Sequence, residues 1–171
     1  GHHPSINPTN DVVVLKTAAG GNVLWQRSYG GDGSDFGGNI IQTADGGFIL
    51  VGSTQSNNGD VSGHHGVNGG PDVWVVKLDG AGNIMWQKCY GGSKADRGSD
   101  ITATNGGYII TAETNSSDGD VSGLHGGGLW HDLWVFKIDL TGNILWQRCY
   151  GGSKAESNGK IIQTSDGAFV I

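Results

Sequence analysis

The chain has 171 residues, 33 of them glycine, so about one residue in five is Gly against a typical ~7%. With 36% hydrophobic and only 15% charged residues it holds apolar material for a core but too few strong helix formers for long helices, which excludes a helical bundle. No apolar run approaches the ~20 residues of a membrane-spanning helix, and a net charge of −6 without a Lys/Arg cluster lacks the footprint of nucleic-acid binding, so neither membrane insertion nor a nucleic-acid partner is expected.

The chain opens Gly1-His2-His3 without a charged-then-apolar leader, and its only Met is Met85, so the start reads as one from which something upstream has been removed. Gly-His-His returns at Gly63-His64-His65, which marks it as native sequence rather than a tag.

The first strand-like segment, DVVVLKTAAGGNVLWQRSYGG from Asp11 to Gly31, comes back as DVWVVKLDGAGNIMWQKCYGG from Asp72 and DLWVFKIDLTGNILWQRCYGG from Asp132. Trp25, Trp86 and Trp146 mark this internal repeat, as do Tyr29, Tyr90 and Tyr150. In each copy a run such as Val73 to Lys77, rich in β-branched and aromatic residues, enters a Gly-containing loop (Asp79 to Asn83) and returns as Ile84 to Tyr90, the pattern of a hairpin. A second hairpin follows, with runs Ile40 to Thr43 and Phe48 to Thr54 joined by Ala44-Asp45-Gly46-Gly47; Asn105-Gly106 and Asp166-Gly167 are the equivalent turns.

Two hairpins per repeat predict an all-β fold: a β-propeller of four-stranded antiparallel blades, about three repeats of it, hence a partial propeller. The repeats run approximately 11–71, 72–131 and 132–171, the last incomplete, within one repeat domain over 1–171. Long Gly-rich stretches from Ser56 and from Ser116 show neither helical period nor strand alternation, and are expected to separate successive blades and to carry any function. Three blades are fewer than the four to eight of typical rings. The expected partners are therefore other blades or domains of a larger polypeptide, or further copies in a homo-oligomer. The stop in mid-strand at Phe169-Val170-Ile171 favours the former.

The combination of D-x-W-V-x-K-[LI]-D, G-N-I-x-W-Q-[KR]-x-Y-G-G-S, I-x-x-T-x-D-G-G-[FY]-I and S-x-D-G-D-V-S-G-x-H-G resembles the repeats of large secreted and cell-surface proteins of Bacteroidota, over nearly the whole chain. The resemblance implies propeller blades, an extracellular or cell-surface location and export of the type IX secretion kind. The first repeat departs from the pattern at Val13, where its siblings have Trp74 and Trp134, and at Thr17-Ala18, where they have Leu78-Asp79 and Ile138-Asp139. A weaker likeness to the propeller repeats of pyrroloquinoline-quinone enzymes, in the stretch Leu78 to Trp86, concerns blade geometry only.

Candidate chemistry concentrates in the loops. Asn58 and Asp60 in the first, and Asp118 and Asp120 in the second, place oxygen ligands two residues apart in Gly-rich backbone, as Ca²⁺ sites do, although no full EF-hand spacing is present. The same residue types close turns onto the backbone. Ca²⁺ is the one cofactor this pattern suggests. His64, His65, His125 and His131 lack the companions of a zinc site, and the matched positions of His3, His65 and His125 point to a repeated structural contact. Cys89 and Cys149 share a column with Ser28 and read as free packing thiols. Asp35, Asp96 and Glu156, and Asp11, Asp72 and Asp132, recur at repeat spacing and read as turn caps rather than as one catalytic pair. Trp130 beside His131, with His65 and His125, offers an aromatic face and polar groups to a ligand such as a sugar. The leading expectation is a non-enzymatic extracellular scaffold or adhesion module. The alternatives are a glycan-binding module with Ca²⁺-ordered loops and the accessory propeller of a larger secreted hydrolase.

Overall fold

The computed structural model describes residues 10–67, 69–126, 130–157 and 159–171. These are twelve strands and connecting turns: β1 (Val12–Thr17), β2 (Val23–Tyr29), β3 (Asp35–Gln42), β4 (Phe48–Thr54), β5 (Asp72–Leu78), β6 (Ile84–Tyr90), β7 (Asp96–Thr104), β8 (Gly107–Thr114), β9 (Asp132–Asp139), β10 (Ile144–Tyr150), β11 (Ile162–Gln163) and β12 (Phe169–Val170). They form two complete four-stranded antiparallel sheets, β3-β4-β5-β6 and β7-β8-β9-β10, each an up-and-down meander. Two two-stranded sheets, β1-β2 and β11-β12, stand at the ends.

The all-β prediction and both hairpin types hold, but one expectation is corrected. The long Gly-rich stretch does not lie between successive sheets: it joins β4 to β5, and β8 to β9, inside one sheet. Pairing across it runs without interruption from Phe48↔Leu78 to Thr54↔Asp72. The link between sheets is instead the short Tyr-Gly-Gly turn after β2 and after β6. A hairpin needs only a few residues, whereas the β4–β5 connection returns along the sheet's outer end and uses its extra length to bind other segments.

The sheets stack face to face in chain order, with β7 packed on β3, β4 and β5 of the preceding sheet and β11 packed on β7. Strands β4, β5, β8 and β9 are thus covered on both faces, which is why they read as continuous apolar runs. Successive residues of β5 feed different cores: Trp74, Val76 and Leu78 join Val12, Tyr29 and Leu50, while Val73 and Val75 join Ile101, Trp134 and Phe136. Trp74 and Trp134 are fully buried, and their indole N–H groups donate to Gln87 Oε1 and Gln147 Oε1 at 2.8 and 2.9 Å. Their columns are core. A bulge between Gly98 and Asp100 presses β7 onto the sheet before it, and a Cβ at Gly98 would stand 2.5 Å from the Gly52 carbonyl oxygen.

Candidate functional site

The recurring chemistry-bearing residues converge at the end of each sheet where the Tyr-Gly-Gly turn passes beneath the long loop. Asp96 is the centre of one such cluster. Fully buried, it accepts from the Gly92 N–H and the Ser116 hydroxyl, both at 2.8 Å, and from the Thr114 hydroxyl. Asp35 repeats the arrangement with Gly31, Ser56 and Thr54. Burial pushes both carboxyls above the usual carboxylate range; their donors pull the other way, and the neighbouring carboxylates Asp11 and Asp72 add to the rise. Sequence reasoning assigned these acids to turn capping. Each does cap its turn, and in addition it ties the turn to the end of the sheet's second strand.

The loop histidines sit on the next acid of the series. The His65 backbone N–H donates to Asp72 Oδ2 at 2.7 Å, its Nδ1 lies 2.8 Å from the same oxygen, and the Gly66 N–H donates to Oδ1. His125 holds Asp132 in the same way, with its N–H at 2.9 Å and Nδ1 at 2.7 Å from Oδ2. The repeated contact expected of these histidines is present; His3 lies outside the described residues. Asp132 Oδ1 has no hydrogen-bond partner among the described residues.

The four residues considered for Ca²⁺ bind the preceding inter-sheet turn instead of one another. Asp60 and Gly30 exchange bonds, Asp60 N–H to Gly30 O at 2.9 Å and Gly30 N–H to Asp60 Oδ2 at 3.3 Å, and Asp120 and Gly91 do the same at 2.9 and 3.2 Å. Asn58 accepts from the Asp32 N–H and donates to the Asp32 carboxylate. Asp118 accepts from the Ser93 N–H, which holds its carboxyl below the usual range. Among the described residues no three His, Cys, Asp or Glu side chains stand close enough to hold a metal ion.

Cys89 is buried and Cys149 partly so, both unpaired, with thiols pushed up to about 12 by burial and then by nearby aspartates. At neutral pH they are protonated and unreactive. Trp130, 52% exposed, sits at the surface of the β8–β9 loop, and the adjacent His131 gives its carbonyl to the Glu156 N–H. His65 belongs to the loop of one sheet, and His125, Trp130 and His131 to that of the next.

What the sequence did not disclose is a bridge between the sheets' outer edges. The Tyr29 hydroxyl donates to the Gly82 carbonyl at 2.5 Å and the Tyr90 hydroxyl to Gly142 at 2.7 Å, each from the last strand of one sheet to the β-turn of the next sheet's outer hairpin. The tryptophan four residues earlier packs on the same turn: a Cβ on Gly82 or Gly142 would stand 3.2 Å from Trp25 or Trp86. The constant Tyr, Trp and turn Gly of every repeat were visible in the sequence; their joining across sheets was not. No protein-family model matches the chain, and no curated protein matches it significantly.

Proposed function

We propose that the chain is a segment of a β-propeller that serves as a non-enzymatic scaffold or adhesion module outside the cell. The observation that carries the reading is the use to which the recurring polar residues are put. Asp35, Asp96, Asp60 and Asp120 spend carboxylate oxygens on backbone N–H and hydroxyl donors that fasten the inter-sheet turns to the sheet that follows, and Asp72 spends its own on the loop of its sheet. Residues so engaged hold a shape and are not poised for proton or acyl transfer. The same Tyr-to-turn bridge at two successive steps supports a constant rotation from sheet to sheet, as in a propeller. The extracellular placement and the type IX route rest on the resemblance of the repeats alone.

A second reading, glycan binding, is favoured by one observation: Trp130 exposes an apolar ring on a loop that also bears His125 and His131. A glycan array, run in Ca²⁺ and again in chelator, decides between them. The scaffold reading predicts no glycan signal in either buffer. Binding to a defined glycan that Trp130→Ala abolishes overturns it in favour of the lectin, and loss of that binding in chelator brings Ca²⁺ back to the loops.

A further inference from the structure

Two cations of this acidic chain share a cavity and have no counter-charge bound to them. The chain has a net charge of −6 and only 10 Lys and Arg, yet neither Arg97 nor Lys160 has a hydrogen-bond or ion-pair partner among the described residues. Both line a cavity of about 320 Å³. Arg97 and Ser99 reach it from β7, Glu113 from β8, Ser53 from β4 of the preceding sheet, and Lys160 from the segment that leads into β11. We propose that this cavity binds the carboxylate of a small organic acid or of a peptide terminus, with the Arg97 guanidinium and the Lys160 ammonium as its counter-charges and the Ser53 and Ser99 hydroxyls as further donors. The site needs only the packing of β7 on the sheet before it and of β11 on β7. It does not rest on the propeller reading.

The walls are held in place without a ligand. β3 and β7 each carry a bulge, Gly38 between Gly37 and Asn39 and Ser99 between Gly98 and Asp100. A bulge takes a residue out of the ladder's alternation, and Ser99, so displaced, lines the cavity. Gly38 and Gly98 complete the lining where the two backbones meet: a Cβ at Gly38 would stand 3.0 Å from the Gly98 carbonyl oxygen, and one at Gly98 would stand 2.5 Å from that of Gly52. Asp100 fixes the remaining side. It accepts from the Asn39 amide, from the Ile101 N–H at 3.0 Å and, through Oδ2, from the Ile161 N–H at 3.0 Å, which ties the residue after Lys160 to β7. The cationic side chains thus stand on backbone that is already ordered, which lowers the cost of binding.

The cations are not needed to stack the sheets. By sequence Arg97 stands where the first repeat has Phe36, and Lys160 where the second has Asp100, so the preceding inter-sheet step holds Phe36 and Asp100 at these positions and packs without either charge. Glu113 likewise stands where β4 has Ser53. Charge then sets the class of ligand. Two cations against the one carboxylate of Glu113 leave a single positive charge, which a monocarboxylate neutralises, whereas a dianion such as sulfate would bring its second charge up against Glu113. The planar guanidinium also matches the two oxygens of a carboxylate. A volume of about 320 Å³ suits a small acid or the last residue of a peptide.

The test titrates the whole ¹⁵N-labelled chain, at constant ionic strength, with acetate, with N-acetyl-diglycine, with the same peptide amidated at its C-terminus, and with sulfate. The expected result is a saturable shift of the Gly98 and Ser99 amide signals with the two carboxylates, none with the amidated peptide, and sulfate weaker by about tenfold or more. Arg97→Gln and Lys160→Gln should each weaken carboxylate binding about tenfold. Both side chains are exposed, so the spectrum elsewhere should stay native. Glu113→Gln should narrow the gap between sulfate and carboxylate. A peptide bound about tenfold tighter than acetate names the peptide terminus as the source and equal affinities name the free acid; both outcomes keep the site. Absence of a saturable shift with either carboxylate, an equal response to the amidated peptide or to sulfate, or full affinity in both glutamine variants overturns the proposal and leaves the scaffold reading untouched.

Discussion

Replacing Asp96 with Ala is the most informative perturbation of the inter-sheet turns. The carboxylate is fully buried and receives three donors, the Gly92 N–H, the Ser116 hydroxyl and the Thr114 hydroxyl. The two hydroxyls can rotate toward other acceptors after its loss. The Gly92 N–H cannot, because the turn fixes it, and a stranded buried amide costs about 1–3 kcal/mol. Adding about 1 kcal/mol for each weakened hydroxyl bond, and crediting relief of the desolvation that raises the Asp96 pKa, gives a net loss of about 3 kcal/mol. For a chain of this size that lowers Tm by about 6–12 °C. Asp96→Asn should cost about a third as much: the amide oxygen keeps the Gly92 and Ser116 donors, while Thr114 reverses its hydroxyl to accept from the amide N–H. Urea denaturation followed by tryptophan fluorescence, with Tm by circular dichroism, measures both variants. An Ala variant within about 0.5 kcal/mol of wild type, or an Asn variant as damaged as the Ala one, would refute the reasoning.

Other consequences are equally open to measurement. The stability difference between wild type and Asp96→Asn isolates the titration of this acid: its folded pKa is raised, so the native state binds the proton more tightly, and wild type should gain on the variant as pH falls through the folded pKa toward ~4 and be flat above it. A gain on raising the pH would reverse the sign and the assignment. Tyr90→Phe removes one buried bond to Gly142 and should cost about 1 kcal/mol in denaturant. Gly142→Ala should cost more, about 2 kcal/mol, since φ is +81° and the new methyl would stand 2.9 Å from the Tyr90 hydroxyl. Cys89 and Cys149 should resist alkylation at pH 8 in the native protein and react promptly once it is unfolded; rapid native labelling would contradict their raised pKa values.

Much of this structure could be read from local chemistry. The turn residues Asp45-Gly46, Asp79 to Asn83 and Asn105-Gly106 located the hairpins, because a tight turn is decided by a few neighbouring residues. The assignment of hairpins to sheets was decided elsewhere. A long Gly-rich loop reads as a boundary and a five-residue turn as an interior connection, yet β4 pairs with β5 across the former and β6 leads to a new sheet through the latter. Nothing within either segment states this; it follows from which strand edges and faces match. For the same reason Asp60 and Asp120 looked like ligands for a cation. Two carboxylates in flexible backbone suit Ca²⁺ and suit turn amides alike, and only the approach of Gly30 and Gly91 from the preceding sheet's turn distinguishes the two.

The central claim is that the working unit is the sheet β3-β4-β5-β6, with β2 and β3 in different sheets. Backbone nuclear Overhauser contacts in the labelled protein test it most directly. The account predicts cross-strand contacts of Leu50 with Val76 and of Gly52 with Trp74, and none pairing β2 with β3. Ladder contacts between β2 and β3, with β4 and β5 unpaired, would place the long loop between sheets after all and contradict the stacking drawn from it.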